Sequence, residues 1–100
     1  MSAGDDLTRR YADKRTEQFA HGRWVSAFSG FEHQANRRMA ILLSAASLDA
    51  LRELQSNRLE VLRGDRAGQY SIRINSQWRI CFTGAEKDAE PSDIEIVDYH

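Results

Sequence analysis

Cysteine and proline are nearly missing from this chain, each occurring once, at Cys81 and Pro91. A single cysteine cannot form an intrachain disulfide, and it excludes the Cys-rich zinc scaffolds. No apolar run approaches the ~20 residues needed to cross a bilayer, so no membrane partner is expected. The opening MSAGDD lacks the basic and apolar regions of a secretory signal. These absences together predict a cytoplasmic protein. Also missing are a P-loop, a glycine fingerprint, a Ser–His–Asp order and any metal-ligand motif. Of the three histidines, His21 falls at a helix end, where a cation suits the dipole. His33 falls in the first turn of a longer helix. Neither has a ligand-spaced partner, so no metal and no cofactor are expected. A net charge of −1 argues against a general nucleic-acid coat protein.

What is present describes one modest hydrophobic core. The 100 residues are 41% hydrophobic and 29% charged, a composition that folds rather than staying disordered. Residues 1–6 read as a flexible leader and 7–100 as a single domain. Leu7–Ala12 predicts a short edge strand. Asp13 as N-cap and Gly22 as C-terminal stop then bound a short helix, and RWVSAFSG is an irregular connector. Ser29 and Glu32 stand in capping-box spacing. Phe31, Ala35, Met39, Leu42, Leu43 and Ala46 recur below them at helical intervals, with Gln34, Arg37 and Arg38 opposite. Ser47 caps a third short helix in SLDALREL.

The period changes in the second half. RLEVL, QYSIRI, QWRICF and DIEIVDY are short, β-branched or aromatic, and separated by turn material. Helices first and strands later predict an α+β domain, with a small twisted antiparallel sheet packed on one face by two to three N-terminal helices.

Register matters most in QYSIRINSQWRICF (Gln69–Phe82). A two-residue turn would mix apolar and charged groups on both faces. A three-residue loop, Asn75–Gln77, pairs Ile74 with Trp78, Ile72 with Ile80 and Tyr70 with Phe82. One face is then wholly apolar, and the other carries Ser71, Arg73, Arg79 and Cys81. Arg73 and Arg79 become direct cross-strand neighbours, an unfavourable pairing of like charges. A shared anion such as a phosphate accounts for it; fanning into water, or pairing with Glu95 or Glu60, is the alternative. From Asn57 to Phe82 every basic residue is arginine: Arg58, Arg63, Arg66, Arg73 and Arg79, against Glu60 and Asp65. Guanidinium groups make forked contacts to phosphate.

The sequence closes on Asp98-Tyr99-His100. An imidazole titrates near neutrality, and neighbouring carboxylates favour its protonated form. A histidine beside several arginines suits RNA phosphodiester cleavage. A base takes the 2′-OH proton, an acid protonates the leaving 5′-oxygen, and cations neutralise charge growing on the phosphate.

The combined pattern of NRLEVLRGDRAGQYSIRINSQWRICF and a closing IEIVDYH resembles the HigB-type toxins of bacterial toxin–antitoxin modules, in the RelE/ParE superfamily. The likeness runs from about Tyr11 to His100. It implies a toxin fold of helices on one face of a twisted antiparallel sheet. It also implies a metal-independent endoribonuclease that cuts mRNA on the ribosome, neutralised by a helix-turn-helix antitoxin of the HigA type. The family's cationic residue before Gly-Asp falls on Arg63, where many relatives carry lysine. Its tryptophan-linked arginine falls on Arg79, and its terminal acid, tyrosine and histidine fall on Asp98, Tyr99 and His100. The reading assigns catalysis to His100, Arg79, Asp98, Tyr99 and Arg63, and RNA binding to Arg73, Arg66 and Arg58. A non-enzymatic DNA gyrase inhibitor of the ParE type is the alternative, and a binding module with an acidic partner is the third. Strict alternation along the last strand would aim only Tyr99 at the arginine face, unless the strand bulges to bring Asp98 and His100 with it.

Overall fold

Asp13 starts the first helix by accepting a hydrogen bond from the Thr16 amide at 3.0 Å, and α1 runs Lys14–Ala20. The computed structural model describes residues 9–86 and 89–99. Gly22, at φ +88°, ends the helix in the left-handed conformation that glycine adopts without strain. The connector then makes one 3-10 turn, Ser26–Phe28, which sinks the Phe28 ring completely into the core.

The second helix, α2, spans Glu32–Ser44, and its N-cap is Phe31 rather than Ser29. The expected capping box does not form; Ser29 closes the preceding 3-10 turn. Phe31 is instead fixed by its ring, which packs on Trp78 with centroids 4.8 Å apart. Ala35, Met39 and Leu42 are buried, as the periodicity predicts, but Leu43 is 40% exposed and Ala46 is also exposed. Leu43 lies about 100° round the helix from Leu42, beyond the edge of the apolar stripe, and Ile41 packs on the core instead. The third helix, α3 (Leu48–Glu53), is capped by Ser47, whose hydroxyl accepts from the Ala50 amide at 3.1 Å.

Four antiparallel strands follow in simple meander order: β1 Glu60–Val61, β2 Tyr70–Arg73, β3 Trp78–Thr83 and β4 Ser92–Asp98. β1 is only two residues long because Leu62 turns into the core and a 3-10 turn at Gly64–Arg66 redirects the chain. The hairpin adopts the three-residue-loop register, with Tyr70 opposite Phe82, Ile72 opposite Ile80 and Arg73 opposite Arg79. The Ile74 amide closes it by donating to the Trp78 carbonyl at 2.9 Å. Ile72, Ile74, Ile80, Phe82, Ile94 and Ile96 form the floor on which Phe19, Phe28, Met39 and Leu42 sit. This is the expected α+β architecture, with helices on one face of the sheet.

The outer edge of β4 is covered from the N-terminal side. The Asp93 and Ile94 amides donate to the Arg9 and Arg10 carbonyls, and Ala12 donates back to Ile94. Tyr11 forms a single parallel bridge with Ile94. Thr16, wholly buried in α1, accepts from the Ile96 amide at 3.1 Å. The predicted edge segment therefore exists as a bridge over the part described; Leu7, Thr8 and the leader lie outside the described residues.

Candidate functional site

The face of the sheet away from the helices holds the unusual chemistry. Ser71, Arg73, Arg79 and Cys81 alternate onto it from β2 and β3, and Glu95 and Val97 join them from β4 by pairing with Cys81 and Arg79. Arg79 is only 8% exposed. Its Nε donates to the Ser71 hydroxyl at 2.7 Å, and its Nη2 to the Ser71 carbonyl at 3.3 Å and to the Arg58 carbonyl. Arg58 presents that carbonyl from a left-handed backbone, φ 47° and ψ 54°. Such a conformation costs a non-glycine residue about 1–3 kcal/mol and persists only when its surroundings hold it. Burial lowers the pKa of the Arg79 guanidinium, and Glu60 offsets part of that effect. The site therefore contains a fixed, largely desolvated cation.

A cleft of about 240 Å³ opens above it. Arg58, Glu60, Arg73 and Arg79 line one part, while the hairpin turn (Asn75, Ser76) and Tyr99 complete it. Among the described residues none of the three arginines has a carboxylate within ion-pair distance. Arg73 is steadied instead through Nε, which donates to the Asn75 carbonyl at 3.1 Å. The Tyr99 ring stands 5.9 Å from the Arg79 guanidinium carbon, near enough for a cation–π contact. Three arginines outside any ion pair among the described residues line one opening, an arrangement chemically suited to an anion. Glu60 adds a carboxyl group to the same lining.

Four of the eight residues singled out in the sequence thus meet here: Arg58, Arg73, Arg79 and Tyr99. Arg66 is elsewhere on the same face, bonded to Glu95 at 3.3 Å and to Gln69 at 2.9 Å. That ion pair answers one of the alternatives for the paired arginines, since Glu95 serves Arg66 and not Arg73 or Arg79. Arg63 is exposed at the start of the Gly64–Arg66 turn and is not among the lining residues. Asp98 pairs with Trp78, so it projects to the helix side, where it accepts from Gln77 Nε2 at 3.0 Å. The strand runs without a bulge through Val97; its irregularity lies further back, between Cys81 and Thr83. His100 lies outside the described residues.

Two contributors were not assigned from sequence. Ser71 anchors Arg79, and the two are diagonal neighbours across β2 and β3, a relation already contained in the register. Glu60 reaches the cleft from β1, next to Ser71 in the ladder. Its placement depends on how the Gly64–Arg66 turn returns the chain, which no local pattern gives. Among the described residues no group of three or more His, Cys, Asp or Glu side chains could hold a metal ion. Nor is any described helix long and apolar enough to cross a membrane.

Solved structures share this architecture. The chain is 17% identical to a chain of a YoeB-YefM complex from Staphylococcus aureus, with a TM-score of 0.50 over 94% of this chain and 97% of that one. A YoeB/ParE toxin from Agrobacterium tumefaciens is 13% identical, also at 0.50, over 94% and 99%. At such identity the likeness concerns the fold alone. No curated protein matches the sequence at a significant level. The family model for the RelE-like toxin of the type II toxin–antitoxin system HigB, by contrast, matches residues 5–100, nearly the whole length. Helices over a four-stranded meander, an arginine-lined cleft and that match converge: the chain belongs to the HigB-like toxin family.

Proposed function

We propose that the protein is a metal-independent endoribonuclease that cleaves mRNA on the ribosome and so blocks translation, held inactive by a helix-turn-helix antitoxin. The observation that carries this reading is the cleft lined by Arg58, Arg73 and Arg79, none of them in an ion pair among the described residues, with Glu60 beside them. Arg73 and Arg79 hold the scissile phosphate, and Arg79 is the more rigid because Ser71 and Arg58 fix it. Charge accumulates on the non-bridging oxygens as the 2′-oxygen attacks. Preorganised cations in a partly desolvated site stabilise that charge without reorganising.

Glu60, on the same cleft, accepts the 2′-OH proton. His100, which follows Tyr99 in the sequence, donates a proton to the leaving 5′-oxygen; Tyr99 stacks on the nucleotide and steadies Arg79. Arg66 and Arg63 add positive field along the RNA path, and Asp98 positions the strand end through Gln77. The products are a 2′,3′-cyclic phosphate and a free 5′-hydroxyl, so the bonds and protons balance without a metal.

Mapping of mRNA 5′ ends after brief induction tests the proposal. New ends within coding regions are expected for the wild type, and their loss is expected for Glu60→Gln, Arg73→Ala and His100→Ala. Growth arrest with intact transcripts would overturn it, and a supercoiling assay would then show whether DNA gyrase is the target.

A further inference from the structure

A second depression of about 520 Å³ adjoins the arginine cleft. Gln34, Arg38 and Ser56 form its far wall. Its near wall is common to both hollows: Arg58, Arg73 and the Asn75–Ser76 turn line each of them. No carboxylate lines this second hollow, whereas Glu60 lines the first. The two differ in chemistry accordingly: one holds cations beside a carboxyl group, the other cations, neutral hydrogen-bonding groups and the apolar Ile74.

Arg38 is held in place like Arg79. Its Nη1 donates to Asn57 Oδ1 at 2.7 Å, and Asn57 is fully buried, with its own amide donating to the Leu51 carbonyl at 2.9 Å. The buried asparagine is a second anchor for a guanidinium, built from the end of α3 and the turn that follows. One edge of the Arg38 fork is thus occupied. Among the described residues no carboxylate lies within ion-pair distance of it. Desolvation and then the adjacent Arg37 lower its pKa, so an anion there relieves both burdens.

We propose that this hollow is a second phosphate subsite, which takes the phosphodiester next to the scissile one on a single-stranded RNA, with Arg38 as its cation. The proposal rests on reading the first cleft as a phosphodiester site. Arg58 and Arg73, shared by both hollows, bridge consecutive phosphates, while Gln34, Ser56 and Ser76 offer donors and acceptors to the intervening sugar and base. Arg38 acts in binding and register, not in the chemical step.

Calorimetric titration of the purified full-length protein tests this with two DNA probes, which lack the 2′-OH and cannot be cleaved. One is thymidine 5′-monophosphate; the other is the 5′-phosphorylated dinucleotide of thymidine, carrying two phosphates. The dinucleotide should bind at least about tenfold more tightly at low salt. Arg38→Gln, which keeps an amide donor for Asn57, should abolish most of that advantage and leave mononucleotide affinity within about twofold. Its salt dependence on the dinucleotide should fall by about 0.7 in log–log slope, the value for one phosphate contact on a single strand.

Arg38→Lys keeps the charge and should keep the slope, which guards against misfolding of the glutamine variant. Equal affinity of the wild type for the two probes would overturn the subsite. So would an undiminished dinucleotide advantage in a folded Arg38→Gln protein, or an equal loss on both probes. Transcript mapping is independent of these titrations: a dinucleotide advantage lost in Arg38→Gln without any cleavage in cells would refute the ribonuclease reading and leave the subsite standing.

Discussion

Ser71→Ala removes one oxygen from a completely buried position and leaves the charge of the cleft untouched. In the wild type that oxygen accepts from Arg79 Nε at 2.7 Å. The remaining Arg79 bonds, to the carbonyls of Ser71 and Arg58, are made by Nη2. After the substitution Nε–H faces a methyl group where water does not reach. Hydrogen bonds to charged groups contribute about 1.5–3 kcal/mol, and the small change in volume adds little. The unfolding free energy should therefore fall by about 2 kcal/mol. In urea, with an m-value of about 1–1.5 kcal/mol/M for a chain of this size, the midpoint should drop by about 1.3–2 M with m unchanged. A double-mutant cycle identifies the partner. In an Arg79→Met background, Ser71→Ala should cost less than about 0.5 kcal/mol, giving a coupling energy well above the additivity error. A Ser71→Ala protein within about 0.5 kcal/mol of wild type, or strictly additive with Arg79→Met, would refute the view that Ser71 fixes Arg79.

Inorganic phosphate at ten times its dissociation constant should stabilise the wild type by about 1.4 kcal/mol, seen as a raised melting temperature; Arg73→Ala should lose most of that rise while melting normally without phosphate. Cys81 is wholly buried and desolvation raises its pKa, so a thiol reagent should label it only on unfolding. The sign follows: the folded thiol keeps its proton while the unfolded one loses it, so stability is full below the ordinary thiol range and declines as pH rises through it, a decline that Cys81→Ala should abolish. Gly84 sits at φ +77°, where an added Cβ would collide with the Glu90 carbonyl; Gly84→Ala should cost more than about 1 kcal/mol. Gly30→Ala meets nothing and should be neutral or stabilising by up to about 1 kcal/mol in the same denaturation assay.

The hairpin was legible from residue order because side-chain alternation and loop length permit only one register that buries a clean apolar face. That register already implied the Arg73–Arg79 pairing and the diagonal from Ser71 to Arg79, while alternation along the last strand gave the outward direction of Tyr99. Caps with a local signature, Asp13 and Ser47, could be read for the same reason. What escaped were effects of distant packing. Phe31 took the N-cap position because its ring is wanted against Trp78, which Ser29 and Glu32 do not register. Leu43 fell off the apolar stripe through helical geometry that a list of hydrophobic residues blurs. Arg38 looked like an ordinary solvent-facing arginine until Asn57, nineteen residues on, supplied its anchor. Asp98 faced away from the arginines because alternation persisted through Val97.

The covered edge of β4 has a kinetic meaning. The Arg9–Asp93 contact closes a loop of 84 residues, and the Thr16–Ile96 bond one of 80. Such bonds reward the chain only after nearly all of it has been brought together, and topologies rich in distant pairings fold slowly. The strand that carries Tyr99 to the cleft is thus held by pairings of very long sequence separation. On a ribosome, the first helix must wait for the final strand to emerge before either can settle. Because Tyr99 follows β4 and lines the cleft, the site is complete only once these distant pairings have been made.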